Sequence, residues 1–328
     1  MKRAALFCAG RGAYTKRTMK LLPEDHTWVA EAEALRAEHG LPSILEMDRA
    51  RWDGDVHLRP DNASALIYLH SMLDAAQAMR EHDVVCVGGN SLGWYTALAA
   101  AGALSFADGF RLVQGISLLQ MRHAEGGQVV YPLIDDQWRI DPRLEARVKE
   151  ALAGAPGEAF PSIDLGGYAV LAGTEKGVAH LLERLPPVEM GPSLYPYRLK
   201  QHGPYHTPLV SGVSRDAAPL AGLGWGAPGV TLVDGRGARF TPWSTDPGEL
   251  AAYTLGVQLT TPFRFTTSVR VALREHAPDL IALPGPGNTL GGVCGQVIVA
   301  EGYKGIRSRS DFERVQAGES PVVWSMRR

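Results

Sequence analysis

Hydrophobic positions along the chain fall into two kinds of run. Short apolar runs, RAALFCAG at the start and DVVCVGG at 83–89, end in glycine and read as buried strands closed by turns. Elsewhere apolar residues recur every three or four positions, the period of a helix with one buried face, from about Thr27 to His39 and from about Asn62 to Arg80. Behind DVVCVGG comes an alanine-rich run that favours a helix, and Ser105 with Asp108 three residues on predicts a capping box for another helix reaching about His123. Strands alternating with helices imply an α/β sheet.

The middle of the chain differs. GGQVVYPLI, a charged helix around PRLEARVKEALAG, the strand YAVLAG, the helix EKGVAHLLERL and a strand near SLYPYRLKQ give the order βαβαβ in a short stretch. That density predicts a small α+β subdomain over 126–200, inserted into a larger domain made of 1–125 and 201–328. The large domain resumes with GPYHTPLV, VTLVDG, a helix from about Pro247 to Gln258, and a strand and turn at DLIALPGPGNTLGG.

With 328 residues, a net charge of −2 and 21% charged residues, the composition suits an enzyme and gives no sign of a polyanion-binding surface, so nucleic acid is not an expected partner. Three cysteines, Cys8, Cys86 and Cys294, stand far apart and within apolar segments, which excludes a disulfide framework or a CxxC metal site and implies a reducing cytoplasm. No apolar stretch approaches the roughly 20 residues of a membrane span, and the first apolar run lacks a credible cleavage site, so no membrane partner is expected. No HExxH, paired CxxC or DxDxD pattern calls for a metal.

The candidate chemistry centres on GGNSLGWYTAL at 88–98. Ser91 stands between Gly89 and Gly93, after a strand and before a helix, as a nucleophile elbow requires: the chain turns so sharply that side chains two places either side would collide. Such a turn lifts the hydroxyl to a helix N-terminus, where free N–H groups stabilise an oxyanion. A serine needs a base, and His206 in HGPYHTPLV, far downstream between two prolines, is favoured by order among ten histidines; His39, His82 and His180 sit on polar helix faces. LPGPGNTLGG has GxGxxxG spacing late in the chain and reads as a tight turn that helps shape the site.

Several segments together resemble the malonyl-CoA:acyl-carrier-protein transacylase family and the acyltransferase domains of polyketide synthases: GNSLGWYTAL, GALSFADGFRLV, YAVLAGTEKGV, GPYHTPL, QLTTPFRFTTSV and LPGPGNTLGG, in that order between about Phe7 and Gly292. The resemblance implies an α/β-hydrolase-like large domain with an inserted ferredoxin-like small subdomain, acting as a monomer without a cofactor. It further implies a ping-pong transfer in which Ser91, activated by His206, takes an acyl group from acyl-CoA and passes it to the phosphopantetheine thiol of an acyl carrier protein. His206 would be oriented by main-chain carbonyls, the oxyanion hole would use the N–H groups of Arg11 and Leu92, and Gln258 would line the site.

Departures from the family pattern bear on the substrate. Malonyl-carrying members hold the free carboxylate with an arginine in the helix after the elbow; here the stretch is LVQGISLLQM and Ile116 stands at that place. Isoleucine offers no charge-assisted grip on a carboxylate. Arg11 replaces a loop glutamine, Asn90 the histidine before the nucleophile, and Trp94 an acidic residue after it. Together with Ile116, Leu119, Tyr205 and Asn62, which set pocket depth, these point to an acyl group other than malonyl. Two alternatives stay open: a malonyl transferase with the carboxylate held by Arg11, and an acyl hydrolase of the same fold that strips carrier proteins. A non-catalytic module would be expected to lose Ser91, His206 or an elbow glycine, and all are kept.

Overall fold

The computed structural model describes residues 1–327 and is built on two sheets. Strand β1 (Arg3–Cys8) is fully buried from Ala4 to Cys8, which explains its unbroken apolar sequence: it lies at the centre of the larger sheet with neighbours on both edges. Beside it runs β2 (Asp83–Gly89), parallel and in register so that Cys8 lies opposite Gly89. The two loops that leave these strands therefore emerge side by side, at the carboxyl end of a parallel sheet, where ligands of such folds bind.

The helix Pro60–Glu81 joins these strands, starting with Pro at its first turn and burying most of its length. After β2 the elbow helix Leu92–Ala100 is fully buried through Ala99, and the next helix, Phe106–His123, starts on Ser105. Only half of the expected capping box forms: Ser105 Oγ accepts from the Asp108 N–H, but the Asp108 carboxylate turns to Arg111 and to the Gly224 N–H instead.

The second sheet begins with β3 (Gly127–Pro132), followed by a helix at Pro142–Ala153, β4 (Ala159–Leu165), β5 (Tyr168–Gly173) and a helix at Glu175–Arg184. A hairpin of β6 (Val188–Met190) and β7 (Ser193–Tyr195) precedes β8 (Tyr197–Arg198), which pairs with β3. The order is thus β3, helix, β4, β5, helix, β8, the βαββαβ arrangement of a ferredoxin-like unit. Sequence periodicity missed β4 because its strand carries Pro161, and the register against β5 shifts between Pro161 and Ile163.

The chain then returns to the larger sheet through β9 (Leu232–Val233) and β10 (Arg239–Phe240). The expected helix at Pro247–Gln258 is continuous but changes pitch: Pro247–Ala252 is α-helical, Tyr253–Val257 is a π-turn, and Gln258–Thr260 closes it. Next, β11 (Phe263–Arg264) pairs with β4 and so lends an edge to the second sheet, before the helix Phe265–Val271. Finally β12 (Leu280–Leu283), the helix Gly291–Glu301 and β13 (Val323–Ser325) complete the six-stranded order β10-β9-β2-β1-β12-β13. No helix among the described residues is long and apolar enough to cross a membrane.

Candidate active site

Ser91 holds the backbone in a conformation that L-residues rarely adopt, with φ 54° and ψ −112°. Two close approaches show why its flanking residues are glycines. A Cβ on Gly89 would come within 2.7 Å of the Trp94 nitrogen, and one on Gly93 within 2.7 Å of the Cys8 carbonyl carbon. Both obstacles are backbone, so neither can swing aside. The Gly93 and Trp94 N–H groups bond to the carbonyls of Asn90 and Ser91, which leaves the Leu92 N–H without an acceptor among the described residues. The Arg11 N–H, in the loop after β1, is likewise free.

Ser91 Oγ–H donates to His206 Nε2 at 2.8 Å, and His206 Nδ1–H donates to the Gln258 carbonyl at 2.7 Å. Because a carbonyl only accepts, the proton of the neutral ring is fixed on Nδ1 and the lone pair on Nε2 faces the serine. The place of the third acid is taken by a main-chain oxygen. It is available because the helix ends at Thr260, so the Gln258 carbonyl is one of the final turn's orphan acceptors. The Gln258 side chain also ties down the elbow: its Oε1 accepts from the Tyr95 hydroxyl at 2.8 Å, and its Nε2 donates to the Ser91 carbonyl at 3.3 Å. Trp94 fastens the same two segments, donating from Nε1 to Thr254 Oγ1 at 3.0 Å and meeting the Tyr253 ring edge to face.

His206 is buried, and its pKa is pushed down to about 4, first by loss of solvation and further by the Arg11 guanidinium, with the Gln258 carbonyl pulling the other way. The ring is neutral at pH 7 and ready to accept a proton. Among the described residues the Arg11 guanidinium forms no ion pair or hydrogen bond; it rests on the Tyr205 ring at 4.2 Å, with Nη1 buried and unpartnered.

Arg11, Ser91, Leu92, Ile116, Tyr205 and His206 share one cavity of about 20 Å³. Four further expected lining residues do not reach it. The Gln258 side chain is taken up by the Tyr95 hydroxyl and the Ser91 carbonyl, behind the wall. Asn62 accepts from Arg36 Nη2 at 2.9 Å and donates to the Val56 carbonyl at 2.9 Å; the fully buried Arg36 needs acceptors and claims it. Asn90 turns its carboxamide towards Gly10, because the elbow sends only Ser91 outward. Leu119 lies off the lining face, whereas Val113, Ile116, Ser117 and Gln120 lie on it at the spacing of one helical stripe. That spacing around Ile116 was the available signal for Val113, Ser117 and Gln120; Ser64, Val210 and Leu259 also line the cavity, and nothing in their local sequence marks them. The turn LPGPGNTLGG does not line it either: Gly285 N–H bonds to Asp74 Oδ2 at 2.9 Å, and Gly287, at φ 67°, packs close to the Ala13 carbonyl, bracing the loop that carries Arg11. No cluster of three or more potential metal-binding side chains occurs among the described residues.

This fold is that of the malonyl-CoA:acyl-carrier-protein transacylases and polyketide acyltransferase domains. The malonyl-CoA:ACP transacylase of Synechocystis sp. PCC 6803 superposes with a TM-score of 0.73 at 22% identity, covering 90% of this chain and 94% of that one. The acyltransferase domain from the second module of the salinomycin polyketide synthase gives a TM-score of 0.73 at 19% identity, covering 100% of this chain and 69% of that one. In sequence the chain is 28% identical over 264 residues to the polyketide biosynthesis protein ThaF of Burkholderia thailandensis, matching 79% of this chain. It spans 20% of that relative's length. No family model matches the sequence.

Proposed function

We propose that the protein is an acyltransferase that carries an acyl group on Ser91 from acyl-CoA to the phosphopantetheine thiol of an acyl carrier protein, in polyketide or fatty-acid synthesis. The observation that carries this reading is the bonded line from Ser91 Oγ through His206 to the Gln258 carbonyl. The serine oxygen attacks the thioester carbon as its proton passes to His206 Nε2, and the oxyanion meets the free N–H groups of Leu92 and Arg11. The CoA sulfur leaves with the proton from His206, giving acyl-Ser91. The carrier's thiol then repeats the steps in reverse, its proton passing through His206 back to Ser91. No resident metal or cofactor enters this scheme.

The acyl group is uncharged in this reading, because Ile116 lies in an apolar wall with Val113 and Leu259 and supplies no partner for a carboxylate. A second reading, a malonyl group held by Arg11, is favoured by one observation: the guanidinium borders the same cavity with its buried Nη1 unpartnered.

Intact-protein mass spectrometry after brief incubation with acetyl-, benzoyl- and malonyl-CoA, with Ser91→Ala as the control, tests both. An adduct from uncharged donors alone, absent in Ser91→Ala and discharged onto a carrier protein, supports the first reading. A malonyl adduct replaces it with the second, and release of free acid in place of acyl carrier protein makes the enzyme a hydrolase. Equal adducts in Ser91→Ala would overturn the assignment of the nucleophile.

A further inference from the structure

The cavity at Ser91, about 20 Å³, has room for a group the size of one water. An acyl chain of any length needs more. Beside it lies a recess of about 250 Å³ whose wall includes Tyr14, Trp52, Leu58 and Ala63, with Thr15, Lys200 and His202 among its polar members. Arg11 belongs to both walls. Ala63 and Ser64, consecutive on the helix Pro60–Glu81, face one space each, so the two adjoin at this point of the helix.

The wall of the recess suits a flat apolar group. Tyr14 and Trp52 lie with ring centroids 6.2 Å apart, and both stack against His57. The Tyr14 hydroxyl is turned away from the space, donating to Asp48 Oδ1 at 2.6 Å. The Arg11 side chain, which borders both this recess and the Ser91 cavity, is held lightly, since among the described residues its guanidinium forms no hydrogen bond or ion pair and rests on the Tyr205 ring. A cation resting on a ring is far easier to displace than one in a buried ion pair.

We propose that Arg11 is a movable partition that sets the size of the acyl group: with its guanidinium off Tyr205, the Ser91 site continues into the aromatic recess and accepts an uncharged aryl or branched acyl chain. This rests on the acyl-serine reading given above.

The test is competitive loading from equal acetyl-CoA and benzoyl-CoA, read as the ratio of the two acyl-enzyme masses. Leu58→Trp, which fills the recess, lowers the benzoyl-to-acetyl ratio about tenfold or more, and Arg11→Ala, which removes the partition, raises it by a similar factor. Ala63→Val serves as a second filling variant, and fluorophosphonate labelling of Ser91 confirms that each variant is folded. A ratio that stays within twofold of wild type in labelling-competent variants overturns the partition. So does loss of a malonyl adduct in Arg11→Ala without gain of benzoyl. Failure of the wild type to form any adduct at Ser91 refutes the acyl-serine reading instead, so the two failures are distinct.

Discussion

Replacing Gly93 by alanine tests whether the elbow is dictated by backbone contact. The added Cβ would lie 2.7 Å from the Cys8 carbonyl carbon and 3.0 Å from the Ala9 carbonyl oxygen. Carbon atoms pack at about 3.5 Å or more, and the Cys8 carbonyl oxygen lies nearer still, so the elbow or the end of β1 must give way by at least about 0.8 Å. Because β1 is hydrogen-bonded along both edges, the elbow turn is the part that moves. Overpacking of this kind costs about 1–3 kcal/mol, which in a chain of this size lowers Tm by roughly 1–5 °C. The larger effect falls on the 2.8 Å bond between Ser91 and His206, since a displacement near 1 Å lowers rates about 100-fold. The assay is the second-order rate of Ser91 labelling by a fluorophosphonate, alongside a thermal melt. Gly292→Ala is the control, because its Cβ meets nothing within 4 Å and alanine favours the helix it occupies. A Gly93→Ala protein that labels within twofold of wild type and melts at the same temperature would refute the argument.

Three other outcomes follow from the same site. Since burial and Arg11 hold His206 at about 4, labelling of Ser91 should stay level from pH 8 to about 5.5 and fall as pH drops through about 4, where the protonated ring can no longer accept from the serine; a midpoint near the ordinary histidine value of about 6.5 would contradict it. The same depressed pKa means the unfolded chain binds the proton more readily, so this group's share of stability is complete above about pH 6.5 and is lost as pH falls towards 4, which urea melts at several pH values would register. Ile116→Arg places a guanidinium on the cavity wall and should raise malonyl loading about tenfold while lowering Tm without ligand; unchanged loading in a folded variant would mean that the cavity admits no carboxylate there.

The parts of the site visible in the sequence are those governed by local rules. Gly89, Ser91 and Gly93 could be read because a sharp turn demands small residues at fixed offsets, and His206 because two prolines and chain order isolate it. What escaped depends on contacts across the fold. The orienting group for His206 is a carbonyl, which every residue possesses, so only its release at a helix end marks Gln258 out. Asn62 was drawn away by Arg36, a partner 26 residues distant. In the second sheet, β4 hid behind Pro161, and β11 is a two-residue strand too short to carry a period.

The segment from Tyr253 to Arg264 has a mechanical consequence. Within a dozen residues it supplies the carbonyl that aims His206, the Phe263 ring that packs against the imidazole at 5.4 Å, and the edge strand that pairs with β4. The base and the smaller unit thus hang from a single lever. A tilt of the ferredoxin-like sheet would be carried along this stretch to the Gln258 carbonyl, and with it to the aim of the His206 ring.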